Sequence, residues 1–153
     1  ITIQYVDGEQ VVLLNGVNVN DSLRTEAVGN MDSNTSAQPA VRTKLVELQQ
    51  ALAAKSDVIM DGRDIGTVVL PNAQVKIYLT ASSMVRARRR YDELTAKGET
   101  CDLEKIRQDI EDRDYRDMHR ETSPLKQADD AVLVDTSDMT IEQVIDRSVE
   151  LIG

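Results

Sequence analysis

The sequence predicts an α/β fold with a doubly wound parallel sheet, and three observations support this. Short runs rich in Val and Ile recur at Val58–Met60, Val75–Leu79 and Ala131–Val134, as is typical of strands buried in a parallel sheet. Segments with helical periodicity lie between and after the last two runs. A separate group of strand-like runs opens the chain. We therefore expect a parallel core, residues 57–153, preceded by a small insert, residues 1–56.

The composition limits the classes of partner. Hydrophobic residues make up 41% and charged residues 29% of the chain, which is typical of a soluble globular protein. A net charge of -9 argues against nucleic acid and against an anionic membrane as partners, because both require a basic face. Cys101 is the only cysteine, so no intramolecular disulfide can form. This and the lack of a visible signal peptide favour the cytoplasm.

The insert is predicted to be an antiparallel meander followed by a helix. Strand-like runs at Ile1–Val6, Gln10–Leu14 and Val17–Val19 are separated by Asp-Gly and Asn-Gly pairs, which favour hairpin turns. Residues 25–30 are weakly helical and residues 31–38 form a polar loop. Pro39 then opens a helix. Its predicted apolar stripe consists of Val41, Leu45, Leu48 and Leu52.

Charged residues and glycines directly follow the first predicted core strand. Asp61, Arg63 and Asp64 alternate with Gly62 and Gly66. Ligands of parallel sheets bind beyond the carboxyl ends of the strands. Glycine lets the backbone approach a ligand closely, and the guanidinium fork suits a phosphate. Adjacent opposite charges can also neutralise each other on a solvated turn, but the glycines favour a functional interpretation.

Two predicted helices, 81–96 and 103–119, carry clustered arginines. On the first, three lie on one face: Arg86, Arg89 and Arg90. Like charges at this spacing destabilise a helix unless an anion offsets them, so either a solvated basic face or a polyphosphate clamp is indicated. On the second, Arg113, Asp117 and Arg120 share a face. A salt bridge between Arg113 and Asp117 explains the spacing of these two residues, whereas Arg120 requires another anion.

Local end signals complete the prediction. Ser82 or Ser83 caps the first of these helices and Gly98 ends it. Thr140 and Gln143 have the spacing of a capping box that opens the last helix. We expect its apolar stripe to be buried against the core. The stripe consists of Ile141, Ile145, Val149 and Ile152.

The segment Asp61-Gly-Arg-Asp-Ile-Gly-Thr-Val-Val-Leu-Pro71, with Val75-Lys-Ile-Tyr-Leu-Thr-Ala-Ser-Ser83, resembles the central signature of bacterial cytidylate kinases. The resemblance runs along the whole chain and includes Glu111–Arg120. One motif of the family does not occur here: no Gly is followed by Lys, so the sequence holds no G-x-x-x-x-G-K-[ST] phosphate-binding loop (P-loop). The chain resembles the last two thirds of the family, without a first stretch of roughly 70 residues carrying the strand–P-loop–helix unit.

This resemblance implies a P-loop nucleoside monophosphate kinase of pyrimidine metabolism, monomeric when complete. It would phosphorylate CMP and dCMP with ATP and Mg²⁺. The implied fold is an incomplete kinase core with a nucleotide-binding insert and a helical lid at about residues 86–120. The implied cytosine-binding residues are Ser33, Arg42 and Asp64. Those for the ribose are Arg113 and Asp117, and those for the acceptor phosphate are Arg63 and Arg120. Donor phosphates would contact Arg86, Arg89 and Arg90, and Asp61 would contact the hydration shell of Mg²⁺. The catalytic arginines would be Arg63, Arg86, Arg90 and Arg120.

Without a P-loop lysine, we expect the chain as written to lack kinase activity. A nucleotide-binding module without catalysis and a structural fragment with solvated arginines remain alternatives. In this family the P-loop strand lies between the strands at Val58–Met60 and Val75–Leu79. We therefore expect no ladder between these two runs and a low stability for the isolated chain.

Overall fold

The structure is a computed structural model that describes residues 1–23, 28, 31, 35 and 38–153. Ser33 and most of the segment predicted as weak helix and polar loop lie outside the described residues. Packing divides the chain into two compact units, Ile1–Leu45 and Val46–Gly153, which are described separately. The predicted boundary between residues 56 and 57 stays a prediction.

The first unit holds a three-stranded antiparallel sheet in the order β1 (Thr2–Val6), β2 (Glu9–Leu14), β3 (Val17–Asn18). Both connections are two-residue turns whose central residues have positive φ, 54° and 85° at Asp7-Gly8 and 51° and 83° at Asn15-Gly16. Such turns match the right-handed twist of the strands. The predicted meander is confirmed.

Two helices follow the meander. The short helix α1 spans Asn20–Leu23, and α2 spans Pro39–Ala53. The Asn20 side chain accepts from the backbone N–H of Val12 (2.9 Å) and donates to the Gln10 carbonyl (2.8 Å), so it pairs with strand β2. The predicted helix start at Pro39 is confirmed. Of its apolar stripe, three residues are half-buried, whereas Leu48 is 44% exposed.

The second unit contains two parallel strands, β4 (Ile77–Thr80) and β5 (Val132–Asp135). Ile77 pairs with Val132, and Thr80 pairs with Asp135. These strands confirm two of the three predicted core strands, one or two residues further along the chain. An α/β class with a parallel sheet is therefore present, while the doubly wound arrangement stays a prediction.

The predicted strand at Val58–Met60 is wrong. These residues adopt no strand, and Ile59 is 94% exposed. An apolar run becomes a strand only when another strand satisfies its backbone N–H and C=O groups. Within the described ranges, no strand pairs with this run, so the expected lack of a ladder to Val75–Leu79 follows from the missing strand.

Three further helices belong to the second unit: α3 (Ser83–Ala96), α4 (Leu103–His119) and α5 (Ile141–Ile152). The predicted ends are confirmed. The Ser82 hydroxyl accepts from the Val85 N–H at 3.3 Å, and Gly98 has φ of 81°. The capping box of α5 is complete, with distances of 3.3 and 2.9 Å.

The predicted burial of the α5 stripe is wrong. Ile141, Ile145, Val149 and Ile152 are 55–75% exposed. Helical periodicity states which face is apolar, but only a neighbouring element can bury that face. In the part of the chain that the structure describes, the buried apolar side chains are few: Val69, Ala81, Ala87 and Val134.

Candidate functional site

A π-helical turn, Ile65–Val69, shapes the charged loop after residue 60. The N–H groups of Val68 and Val69 both donate to the Asp64 carbonyl, at 2.9 and 3.2 Å. Asp64 itself is 2% exposed. A Cβ on Gly62 would lie 2.9 Å from the Ile65 Cγ1 atom, so glycine permits the close approach of the Ile65 side chain to the backbone at residue 62. Single π-helical turns are frequent at functional sites.

Three arginines surround the carboxylate of Asp117 on α4. The Nε group of Arg63 donates to Asp117 Oδ2 at 2.9 Å. Arg113 Nε lies 3.9 Å from the same oxygen, and Arg120 Nη1 lies 3.9 Å from Oδ1. The Asp117 side chain is 11% exposed. Three guanidinium groups and one carboxylate leave a local charge of about +2.

The turn after α4 holds the last of these arginines. Arg120 Nε donates to the Ser123 carbonyl at 2.6 Å, and the Leu125 N–H donates to the Asp117 carbonyl at 2.8 Å. Arg120 Nη2 is buried and has no hydrogen-bond partner among the described residues. A buried N–H without an acceptor is costly. The site therefore offers a position for an anionic oxygen.

Arg86 is held by an acid of the neighbouring helix. Its Nη1 and Nη2 groups donate to the two Asp114 oxygens at 3.0 and 2.5 Å, and its Nε group donates to the Ala81 carbonyl at 3.0 Å. The hydrogen bonds and charge of Asp114 raise the pKa of Arg86 above its ordinary value. Nearby, Ser83 Oγ donates to Glu111 at 2.7 Å. These contacts join α3 to α4.

The other two arginines of α3 have different partners. Arg89 donates to the Thr136 hydroxyl at 3.2 Å and to the Thr136 carbonyl at 2.6 Å. Arg90 pairs with Glu93 at 2.8 Å. Hydrogen bonds from Lys97 and then from Arg90 lower the pKa of Glu93 to about 2. The repulsion expected among the three arginines is therefore offset by groups of the protein itself.

The structure thus joins four predicted site residues, Arg63, Arg113, Asp117 and Arg120. Asp64 follows Arg63 in sequence, Asp61 is exposed, and Arg42 belongs to the first unit. Sequence reasoning missed Asp114 and Thr136 as arginine partners. The only available signal for Asp114 was its position beside Arg113 in an Arg-rich helix.

Comparison with known families identifies the family of this chain. A family model described as cytidylate kinase matches residues 1–153. The chain belongs to the cytidylate kinase family. Two curated cytidylate kinases are similar to it: that of Lactobacillus johnsonii is 52% identical over 146 residues, and that of Streptococcus sanguinis is 53% identical over 139 residues. The alignments cover 95% and 91% of this chain.

The chain spans 64% and 62% of the lengths of these two cytidylate kinases. Within the described residues, no group of three or more His, Cys, Asp or Glu side chains could hold a metal ion. The helices there are also too short or too polar to cross a membrane.

Proposed function

We propose that this chain forms the acceptor part of a cytidylate kinase, which transfers a phosphate group from ATP to CMP or dCMP. The observation that carries this proposal is the cluster of Arg63, Arg113 and Arg120 around Asp117, with Arg120 Nη2 buried and without an acceptor in the described structure. A local charge of about +2 matches a phosphate monoester, which carries about −1.5 to −2 at neutral pH.

Base recognition is assigned to Asp64, and the assignments of Ser33 and Arg42 to the base stay predictions. Asp64 is buried and adjoins Arg63 in sequence, so one short loop supplies a base contact and a phosphate contact. A carboxylate only accepts hydrogen bonds. It therefore suits the exocyclic amine of cytosine, which donates. It rejects the O4 carbonyl of uracil, because the carboxylate and the carbonyl are both acceptors and no hydrogen bond can form between them.

The donor phosphates are assigned to the arginines of α3. Arg86 uses three of its five N–H groups on Asp114 and Ala81, so it is held in place while two donors stay available. Among the described residues, Arg90 is held by a surface pair with Glu93 at 45% exposure, and such a pair is weak enough to exchange for a phosphate. Arg89 anchors α3 to the end of β5 through Thr136, and its assignment as a phosphate ligand stays a prediction.

The proposed reaction is direct phosphoryl transfer, in which the protein positions both substrates and stabilises charge on the transferring group. Arg63 and Arg120 would hold the acceptor phosphate, while Arg113 and Asp117 would contact the ribose. Asp61 alone does not form a metal site, so magnesium would accompany ATP.

The sequence holds no P-loop motif, and the amide nest of such a loop is what cradles the β-phosphate. We therefore propose that the chain as written binds CMP without turning it over. A nucleotide-binding module without catalysis is the alternative for this chain.

Calorimetric titration of the chain with CMP, UMP and cytidine tests the proposal. We expect CMP to bind more tightly than UMP, because of Asp64, and more tightly than cytidine, because of the arginine cluster. Equal binding of CMP and cytidine would remove the acceptor-phosphate assignment. Equal binding of CMP and UMP would remove the base assignment.

A further inference from the structure

Asp117 is negatively charged and lies among the three arginines that are proposed to bind a phosphate. Its carboxylate is 11% exposed, so it is largely shielded from water. Its backbone carbonyl accepts from the Leu125 N–H at 2.8 Å, which fixes this end of α4. A buried acid next to a bound phosphate opposes binding by charge alone. Its presence therefore needs another reason.

The three arginines come from two separate parts of the chain. Arg113 and Arg120 belong to α4 and its C-terminus, whereas Arg63 belongs to the loop after residue 60. Within the described ranges, Arg63 makes one hydrogen bond, from Nε to Asp117 Oδ2 at 2.9 Å. Both of its Nη groups are left for a ligand. Without the carboxylate, mutual repulsion would drive Arg63 away from the α4 arginines, since its side chain is 42% exposed.

We propose that Asp117 is a positioning residue that holds Arg63 against α4, so that guanidinium groups from both parts of the chain converge on one phosphate. This inference rests on the proposed function, because it assumes that the cluster binds the acceptor phosphate. Asp117 would then have two roles: it contacts the ribose, and it positions Arg63. Its consequence opposes simple electrostatics: removing the negative charge of Asp117 weakens phosphate binding.

The test is a titration of the chain with inorganic phosphate and another with CMP. Both are monitored through the Arg Nε–Hε signals in ¹H–¹⁵N spectra. We expect Asp117→Asn to raise the Kd for inorganic phosphate by about 5- to 20-fold, less than the full loss of a hydrogen bond to a charged group, because Arg113 and Arg120 stay in place. The matched control is Asp109→Asn, which removes the same charge from an exposed position of the same helix. It should change the Kd less than 2-fold. Inorganic phosphate has no ribose, so a role confined to the ribose would leave its Kd unchanged or lower, and that result would overturn the inference.

A double-mutant cycle with Arg63→Ala tests whether Asp117 acts through Arg63. We expect the double variant to bind phosphate no more weakly than Arg63→Ala, because the two changes remove one interaction. Additive losses would contradict the inference. If Arg63→Ala leaves the binding of both ligands unchanged, the proposed phosphate site itself is wrong. If it weakens binding while Asp117→Asn does not, only the positioning role is wrong.

Arg63→Lys keeps the test decisive if Asp117→Asn does not fold. Lysine retains the charge at this exposed position but carries its three donors on one nitrogen, so it lacks the planar fork that lets Arg63 contact Asp117 through Nε and a phosphate through its Nη groups. We expect the same 5- to 20-fold loss of phosphate affinity in this variant. An unchanged affinity in a folded Arg63→Lys chain would refute the bridging geometry.

Discussion

Replacing Arg120 with methionine should separate binding from stability. Arg120 Nε makes a 2.6 Å hydrogen bond to the Ser123 carbonyl, while its Nη2 group is buried without a partner in the described structure. Losing the hydrogen bond of a charged group costs about 1.5–3 kcal/mol, and relieving an unsatisfied buried donor returns about 1–3 kcal/mol. Methionine also keeps most of the apolar stem. The free energy of unfolding should therefore change by only about 1 kcal/mol.

Binding should respond differently. A charge-assisted contact to phosphate is worth about 1.5–3 kcal/mol, so the Kd for CMP should rise by roughly 10- to 150-fold. The Kd for UMP should rise by the same factor, because a phosphate contact carries no base information. Cytidine, which lacks the phosphate, should bind as it does to the unchanged chain.

Urea unfolding and calorimetry with CMP, UMP and cytidine measure the two effects. The matched control is Arg116→Met, which removes the same charge from an exposed position of α4. It should leave the Kd for CMP within about 2-fold, as expected for a screened surface charge. Unchanged CMP affinity in Arg120→Met would refute the assignment of Arg120. A loss of stability above about 3 kcal/mol would show that its role is structural.

Four further outcomes are expected. Asp64→Asn should reduce the preference for CMP over UMP, because an amide can donate to uracil O4; competitive binding of the two nucleotides measures this, and an unchanged ratio would contradict the assignment. Gly62→Ala should destabilise the chain by about 1–2 kcal/mol in urea unfolding, since the added Cβ meets Ile65 Cγ1 at 2.9 Å and overpacking outweighs the gain in chain entropy. A preparation of verified mass should show no phosphate transfer from ATP to CMP in a coupled assay, and measurable turnover would show that no P-loop segment is required. The Glu93 carboxyl, whose folded-state pKa is lowered to about 2 by Lys97 and Arg90, should stabilise α3 above its ordinary pKa of 4.5 and lose this effect as the pH falls through about 2; an NMR titration midpoint near 4.5 would contradict these pairings.

Local signals in the sequence determined where most elements begin and end. The helix predicted at 103–119 has those bounds in the structure, and the capping box at Thr140 and the two hairpin turns form as expected. These features depend on residues that are close in sequence, through capping hydrogen bonds and permitted φ values. The cluster of α4 residues also followed from helical spacing, since Arg113, Asp117 and Arg120 share one face.

Tertiary structure decided which apolar runs find a partner. Val58–Met60 has the composition of a strand, but no strand pairs with it in the described part of the chain, and Ile59 is 94% exposed. The apolar stripe of α5 has the correct period and is nonetheless exposed. Periodicity identifies a face that can be buried, whereas burial requires a neighbour.

Tertiary structure also decided which group of the protein each arginine contacts. For the arginines of α3 the sequence indicated either a solvated basic face or a polyphosphate clamp, and only the structure showed that Arg86 is paired with Asp114, 28 residues away, and that Arg89 is bound to Thr136, 47 residues away. Arg63 reaches Asp117 across 54 residues. Charge attraction acts through space and has no period along the chain. The sequence therefore identified the candidate phosphate ligands, and only the packing of loop, helix and sheet showed how they are held.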